Sequence, residues 1–461
     1  MLRQRGALGT LLRTGLTRSL ASLAIKLASA GLTYIGFVVL ARTMSVSEYG
    51  YFAFGLALAT VLAIGAGMGQ QTAVMRFYAE DMAKKDSNAA QTTLRAGSML
   101  TILGSLVVAA ALCLYAAIAD MVRGTPPSWP LYAAALLILP MALGEFTSAA
   151  LRTQGSIWTA LAPRDVLWRL ALPLAALALA ATGVMLPGWG ALLLAAGLLL
   201  VVVATQYGLA RTERYQLPLG FAGLAGFWRA RGKISLWLLL GGFINAAALN
   251  ADTIVIGALL APEQAGAYFN AFRTGGLMTL FAFAISLVIA PPIARHFYAG
   301  ERHKAQMLLA AGTWGGFIFS LLACLAFVFF GEPIMSLFGE SYGNAAILLI
   351  ILSVGFLADA ATGPSRSVLM LTGHEKRYAA IFGLTTLASI LAQIVVLPSF
   401  GVIGVAIVSS LSRVLAYSLL SWQCTVQTGL DPTIFGILRL RTRSGGQDGA
   451  AHGTHLVKSE P

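Results

Sequence analysis

Six ionisable side chains interrupt stretches that are otherwise apolar: Lys26, Glu145, Asp252, Arg273, Asp359 and Arg413. A charge at the centre of a membrane-spanning helix costs about 2.5 to 3.5 kcal/mol, so each must meet a partner or line a hydrated cavity. Asparagines stand in register with two of them. Asn245 precedes Asp252 by two helical turns and Asn270 precedes Arg273 by one, so each pair shares a helical face. Asn250 is rotated by about 140° from Asn245 and is expected to hydrogen-bond a neighbouring helix. Two chemistries fit these residues, and they are compatible in part. In one, the charges form ion pairs, Lys26 with Glu145, Asp252 with Arg273 and Arg413 with Asp359. In the other, Lys26, Arg273 and Arg413 line a cleft and neutralise an anionic substrate, while Asp252, Asn245, Asn270, Glu145 and Asp359 gate it or carry coupling ions. Arg273 leads among the cations, because a guanidinium holds a phosphate through paired donors that an ammonium lacks.

The elements that must position these residues are membrane helices. A mean hydropathy of +0.79 and 11% charged residues describe one lipid-embedded body rather than soluble domains. Apolar stretches of roughly 20 residues or more, enough to span the hydrocarbon core, lie near 19–41, 49–69, 96–118, 130–150, 166–186, 188–210, 234–260, 265–290, 307–330, 344–363, 378–398 and 401–423. Of the 31 Lys and Arg, Arg42 and Arg123 fall on one face, Lys26, Arg273 and Arg413 deep within helices, and all others on the opposite face, Arg169 at the start of the stretch 166–186. By the positive-inside rule that basic face is cytoplasmic, Arg164 and Arg169 included, and so are both termini.

The expected fold is thus all-α, with twelve transmembrane helices. A cytoplasmic amphipathic segment (1–18) precedes a first six-helix bundle (19–210), a cytoplasmic connector (211–233), a second six-helix bundle (234–423) and a cytoplasmic tail (424–461), largely disordered after about 439. The net charge of +13 is then mostly a topology signal. It also draws anionic lipid headgroups, at about 1 kcal/mol per basic residue near the surface, and calls for no nucleic acid. Cys113, Cys324 and Cys424 have neither disulfide nor metal-ligand spacing and read as packing residues. The chain holds no HExxH and no phosphate-binding loop, and Gly65-Ala66-Gly67-Met68-Gly69 follows a membrane helix rather than a strand, so neither metal nor cofactor is expected.

The two halves repeat. Val38-Val39-Leu40-Ala41 leads through Glu48 and Gly50 to Phe52, and Ile254-Val255-Ile256-Gly257 leads at the same spacing through Gln264 and Gly266 to Tyr268. Leu151 to Gly155 answers Met370 to Gly373, and Leu186-Pro187-Gly188 answers Leu397-Pro398-Ser399. Six helices per half is an even number, so a pseudo-two-fold axis along the membrane normal relates the halves, an arrangement suited to a transporter that rocks around a central site. Pro140 and Pro173 interrupt helices, and Pro140 lies little more than one turn before Glu145, which places a candidate hinge beside a charge.

Several short sequences recur in a known order: Leu40-Ala41-Arg42 with Glu48-Tyr49-Gly50-Tyr51-Phe52; Asp252-Thr253-Ile254-Val255-Ile256-Gly257 with Gly266-Ala267-Tyr268; Pro291-Pro292-Ile293-Ala294; Leu337-Phe338-Gly339 with Tyr342; and Leu371-Thr372-Gly373. In these the chain resembles the lipid-linked oligosaccharide flippases of polysaccharide export, the Wzx-like branch of the multidrug/oligosaccharidyl-lipid/polysaccharide transporter superfamily. The resemblance implies two six-helix bundles around a cationic cavity and alternating-access transfer of an undecaprenyl-diphosphate-linked repeat unit to the outer leaflet, with Lys26, Arg273 and Arg413 meeting the diphosphate and acidic sugars. It also implies use in O-antigen, capsule or exopolysaccharide assembly, alongside other polysaccharide-assembly proteins. Two other functions stay open: a cation-coupled drug exporter of the same superfamily, with Asp252, Glu145 and Asp359 carrying protons or sodium, and a membrane polymerase acting on the same lipid carrier.

Overall fold

The computed structural model describes residues 28–439, apart from the side chain of Leu287. Lys26, the amphipathic segment and the tail after 439 lie outside the described residues. Within them the chain is helical from end to end. Helices α1 (Ala28–Thr43), α2 (Val46–Ala66), α3 (Gln70–Ala83), α4 (Ser87–Arg123) and α5 (Trp129–Thr153) come first. A short α6 (Trp158–Leu161) runs through a π turn (Ala162–Leu167) into α7 (Trp168–Ala181), and α8 (Gly188–Thr212) and α9 (Leu224–Leu259) follow. The remainder is α10 (Pro262–Gly276), α11 (Met278–Tyr298), α12 (Arg302–Ser336), α13 (Ala346–Ala361), α14 (Ser365–Leu371) and α15 (Glu375–Thr428).

Local chemistry sets the ends of these helices. The Ser45 hydroxyl accepts the Glu48 N–H at 3.3 Å and opens α2, and Asp86 accepts the Ala89 N–H at 2.9 Å and opens α4. Gly124, in the left-handed region at φ 63°, closes α4. Pro333 has no N–H for the carbonyl one turn earlier, and α12 bends beside that position, at Phe330. Gly401, at φ 57° and ψ −150°, divides α15 between the expected stretches 378–398 and 401–423.

Eight helical segments among the described residues are long and apolar enough to cross a membrane, or nine if the bent pair Pro262–Ser286 and Val288–Tyr298 is one span. The remaining expected stretches fall on the shorter α1, on the π-interrupted α6–α7 and on the second arm of α15. The most apolar window of α4 is only 17% buried and that of α9 only 22%. Val107, Leu114 and Trp237 stand largely bare on these helices, which is tolerable against lipid and unfavourable in water. The protein is an all-helical, multi-pass membrane protein.

Its helices form two compact units. The first comprises residues up to 274, 330–349 and 386–409; the second comprises 275–329, 350–385 and the residues from 410 onward. In the first, Tyr49, Phe52 and Ala53 of α2 are fully buried in a core shared with Leu137, Leu192 and Phe269. A methyl group on Gly50 would run into the Pro262 carbonyl, and one on Gly266 would come within 3.3 Å of the Gly50 Cα. The helix starts that bring Gly50 and Gly266 together are the same ones that answer each other in the sequence repeat. At the other end of α2, Gly69, at φ 73°, lies against the Ser235 carbonyl of α9. In the second unit, Ile293, Leu309, Leu369, Leu420 and Cys424 make the core.

Candidate anion-binding cavity

A cavity of about 220 Å³ opens within the first unit. Its wall is built from Thr33 and Phe37 of α1, Thr60 of α2, Met141 and Glu145 of α5, Trp168, Arg169 and Pro173 of α7, Leu199 of α8 and Arg273 of α10, with Arg164 from the π turn. The π turn closes i to i+5 bonds, a wider ring than the helix on either side, and rotates the residues after it relative to those before. In this way Arg164 and Arg169, five positions apart, both reach the cavity. At Gly36 α1 lies close to α7: a methyl there would be in ordinary contact with the Pro173 ring at 3.6 Å and the Arg169 carbonyl at 3.7 Å. The Trp168 indole donates to the Ala195 carbonyl at 3.2 Å, which anchors the start of α7 on α8.

The three guanidiniums have different partners. Arg164 donates to the Glu145 carboxylate. Arg169 donates to the Thr33 hydroxyl, which in turn donates a hydrogen bond to the Ser29 carbonyl at 2.6 Å. Arg273 donates to Asn250 Oδ1 at 3.0 Å and lies 4.8 Å from the centre of the Phe269 ring. The Nε of Arg169 and that of Arg273 are buried with no hydrogen-bond partner among the described residues. Among the described residues, three fixed cations face one carboxylate in a wall that is otherwise mostly apolar. Such a wall favours an anion, because a guanidinium offers paired donors to each phosphoryl group and the low dielectric strengthens the attraction.

Of the candidates read from the sequence, Arg273 and Glu145 line this cavity, and Glu145 pairs with Arg164. Asp252 does not pair with Arg273. It is buried among neutral donors, Gln393 Nε2 at 2.7 Å, the Ser409 hydroxyl at 2.6 Å and the Tyr268 hydroxyl at 2.5 Å, while Arg273 turns to Asn250 instead. Asn250 is thus tied to a neighbouring helix, by its carbonyl oxygen, while its amide nitrogen bonds back to Ala246. Asn270 Oδ1 accepts from the Tyr49 hydroxyl at 2.6 Å, and Asn245 lies half-buried on α9. In the second unit, Asp359 accepts from Tyr417 within the field of Arg413, and Arg413 lies 4.6 Å from the Phe356 ring centre.

Arg164 and Arg169, expected in a cytoplasmic gap, both line this cavity. The available signal was their five-residue spacing beside Pro163, which no regular helical face accommodates.

A profile described as "Polysaccharide biosynthesis protein" matches residues 16–297, and one described as "MatE" matches residues 238–396. The chain is 22% identical over 406 residues to the probable low-salt glycan biosynthesis flippase Agl15 of Haloferax volcanii, covering 83% of this chain and 78% of that one. The fold is similar to the lipid II flippase MurJ in an inward closed conformation, with a TM-score of 0.65 at 14% identity over 93% of both chains. It is equally similar to an inward-facing multidrug resistance MATE family transporter, with a TM-score of 0.65 at 13% identity over 92% of this chain and 99% of that one. The chain belongs to the polysaccharide biosynthesis protein family, within the multidrug/oligosaccharidyl-lipid/polysaccharide transporter superfamily.

Proposed function

We propose that this protein is a flippase that carries a polyprenyl-diphosphate-linked oligosaccharide from the inner to the outer leaflet of a bacterial cytoplasmic membrane, for assembly of O-antigen, capsule or exopolysaccharide. The single observation that carries this reading is the convergence of Arg164, Arg169 and Arg273 on one cavity with Glu145 as the only carboxylate in its wall among the described residues. A diphosphate and its sugars cannot cross hydrocarbon unaided, whereas a polyprenyl tail can stay in lipid while the headgroup passes through protein. Guanidiniums that offset the headgroup's charge lower that barrier. Lys26 and Arg413 extend the cationic path in this reading, and Asp252, Asp359, Asn245 and Asn270 gate it or couple it to an ion. The named function of Agl15, a probable glycan biosynthesis flippase, is in keeping with it.

In this reading α1, the π-interrupted α6–α7, the bent α10–α11 pair and the second arm of α15 join the eight long segments to make twelve spans. These form two six-helix bundles that rock by alternating access, with both termini cytoplasmic. The alternative, a cation-coupled exporter of cationic drugs, needs a cavity with surplus negative charge, the reverse of the charge on the described wall. In a strain that depends on the protein, Arg273→Ala should leave its membrane level unchanged, cut surface polysaccharide at least about tenfold and accumulate the lipid-linked unit inside. Immunoblotting and lipid extraction report both, and normal export would remove Arg273 from the path.

A further inference from the structure

The charge balance around the cavity carries the reading one step further. Among the described residues, the wall holds Arg164, Arg169 and Arg273 against Glu145. Behind it, Asp165 Oδ1 lies 4.0 Å from Arg164 Nη1, and Arg152 feels the charges of Arg164, Glu145 and Asp165. This second layer adds one charge of each sign and cancels. Among the described residues, two positive charges remain over.

A diphosphate esterified at both ends, to lipid and to sugar, carries two negative charges at neutral pH. A lipid diphosphate with no sugar has an exposed terminal phosphoryl group whose last proton leaves near pH 6, so it carries roughly half to one charge more. In a low-dielectric cavity an uncompensated charge is strongly disfavoured. We propose that Glu145 is a specificity-determining residue: by holding the surplus at two, it admits the glycosylated diphosphate and rejects the bare lipid diphosphate. The geometry fits this role, because Glu145 already occupies Arg164, which leaves the Nε donors of Arg169 and Arg273 as the buried ones without a partner. The carboxylate thus stands where the extra phosphoryl charge would otherwise be neutralised. A carrier that made this distinction would not return the spent lipid on its reverse stroke.

This inference rests on the flippase reading, and the experiment separates the two. Purified full-length protein in detergent is titrated with a short-chain isoprenyl diphosphate and with the same compound esterified to glucose. Wild type should bind the glucose ester at least about tenfold more tightly. Glu145→Gln, which raises the surplus to three, should erase or invert that ratio by tightening the bare compound. Glu145→Asp should keep it. Arg164→Gln, which lowers the surplus, should weaken the bare compound more than the ester, and it provides a second reading should Glu145→Gln fold poorly. Binding of neither probe to wild type would overturn the flippase reading and this inference with it. Binding with no preference in wild type, or a preference unchanged in both Glu145→Gln and Arg164→Gln, would overturn the role of Glu145 alone.

Discussion

Asp252 and Arg273 show how far a residue's chemistry is legible before its neighbours are known. Both are costly inside an apolar helix, and that cost marks them as placed residues. Their depth and opposite charge suggest a pair. The neutral cage of Tyr268, Gln393 and Ser409 satisfies the carboxylate instead, and Asn250 with Phe269 occupies the guanidinium. In the proposed mechanism Asp252, held by neutral donors among the described residues, is the group that takes the coupling cation. Asp252→Asn should preserve the fold, because Gln393 Oε1 has no hydrogen-bond partner among the described residues and the amide can turn to accept the new N–H. It should leave headgroup binding at the cavity within about twofold of wild type while lowering flipping driven by a proton or sodium gradient at least about tenfold. Reconstituted vesicles with and without each gradient test this, and unchanged gradient-driven flipping would remove Asp252 from coupling.

At the scale of elements, the joint between α3, α4 and α9 has the geometry of a tie. Arg231 of α9 donates to both carboxylate oxygens of Asp81 on α3, one at 2.8 Å, and to the Thr93 hydroxyl of α4 at 2.9 Å. Its guanidinium lies 4.7 Å from the Phe77 ring centre and 5.9 Å from that of Phe227. Asp81 is 2% exposed, so removing its charge leaves Arg231 half-buried without a counter-ion. Asp81→Asn should destabilise the protein by about 3 kcal/mol, the lower end for a broken buried pair. The double variant Asp81→Asn with Arg231→Met should recover part of that loss, and thermal unfolding in detergent measures both. Basic residues near 229–233 were legible as a cytoplasmic cluster, but the partner on α3 was not. Nothing in the spacing of residues 150 positions apart says that two helices cross there.

At the scale of the molecule, α2 runs beside α9 from Gly69 near Ser235 to Gly50 near Pro262, so a first-half helix and second-half helices share one seam. A methyl on Gly242 of α9 would lie 3.5 Å from Cγ2 of Ile64 on α2, so cysteines at the two positions test cross-linking along this contact. With Cys113, Cys324 and Cys424 replaced by Ser, Ile64→Cys with Gly242→Cys should lose at least about tenfold in flipping on oxidation and regain it on reduction if the halves must separate along this seam. Unchanged activity of the oxidised form would show that they need not. Hydropathy, basic residues in alternate gaps and the repeat were sufficient to read a multi-pass helical protein with Arg273 and Glu145 as functional candidates, because desolvation acts on each residue in its own segment. Which charges share a cavity was decided only by tertiary structure. The π turn brings Arg164 and Arg169 inward, Asn250 diverts Arg273 from Asp252, and both follow from how helices distant in sequence pack, a quantity that no single segment encodes.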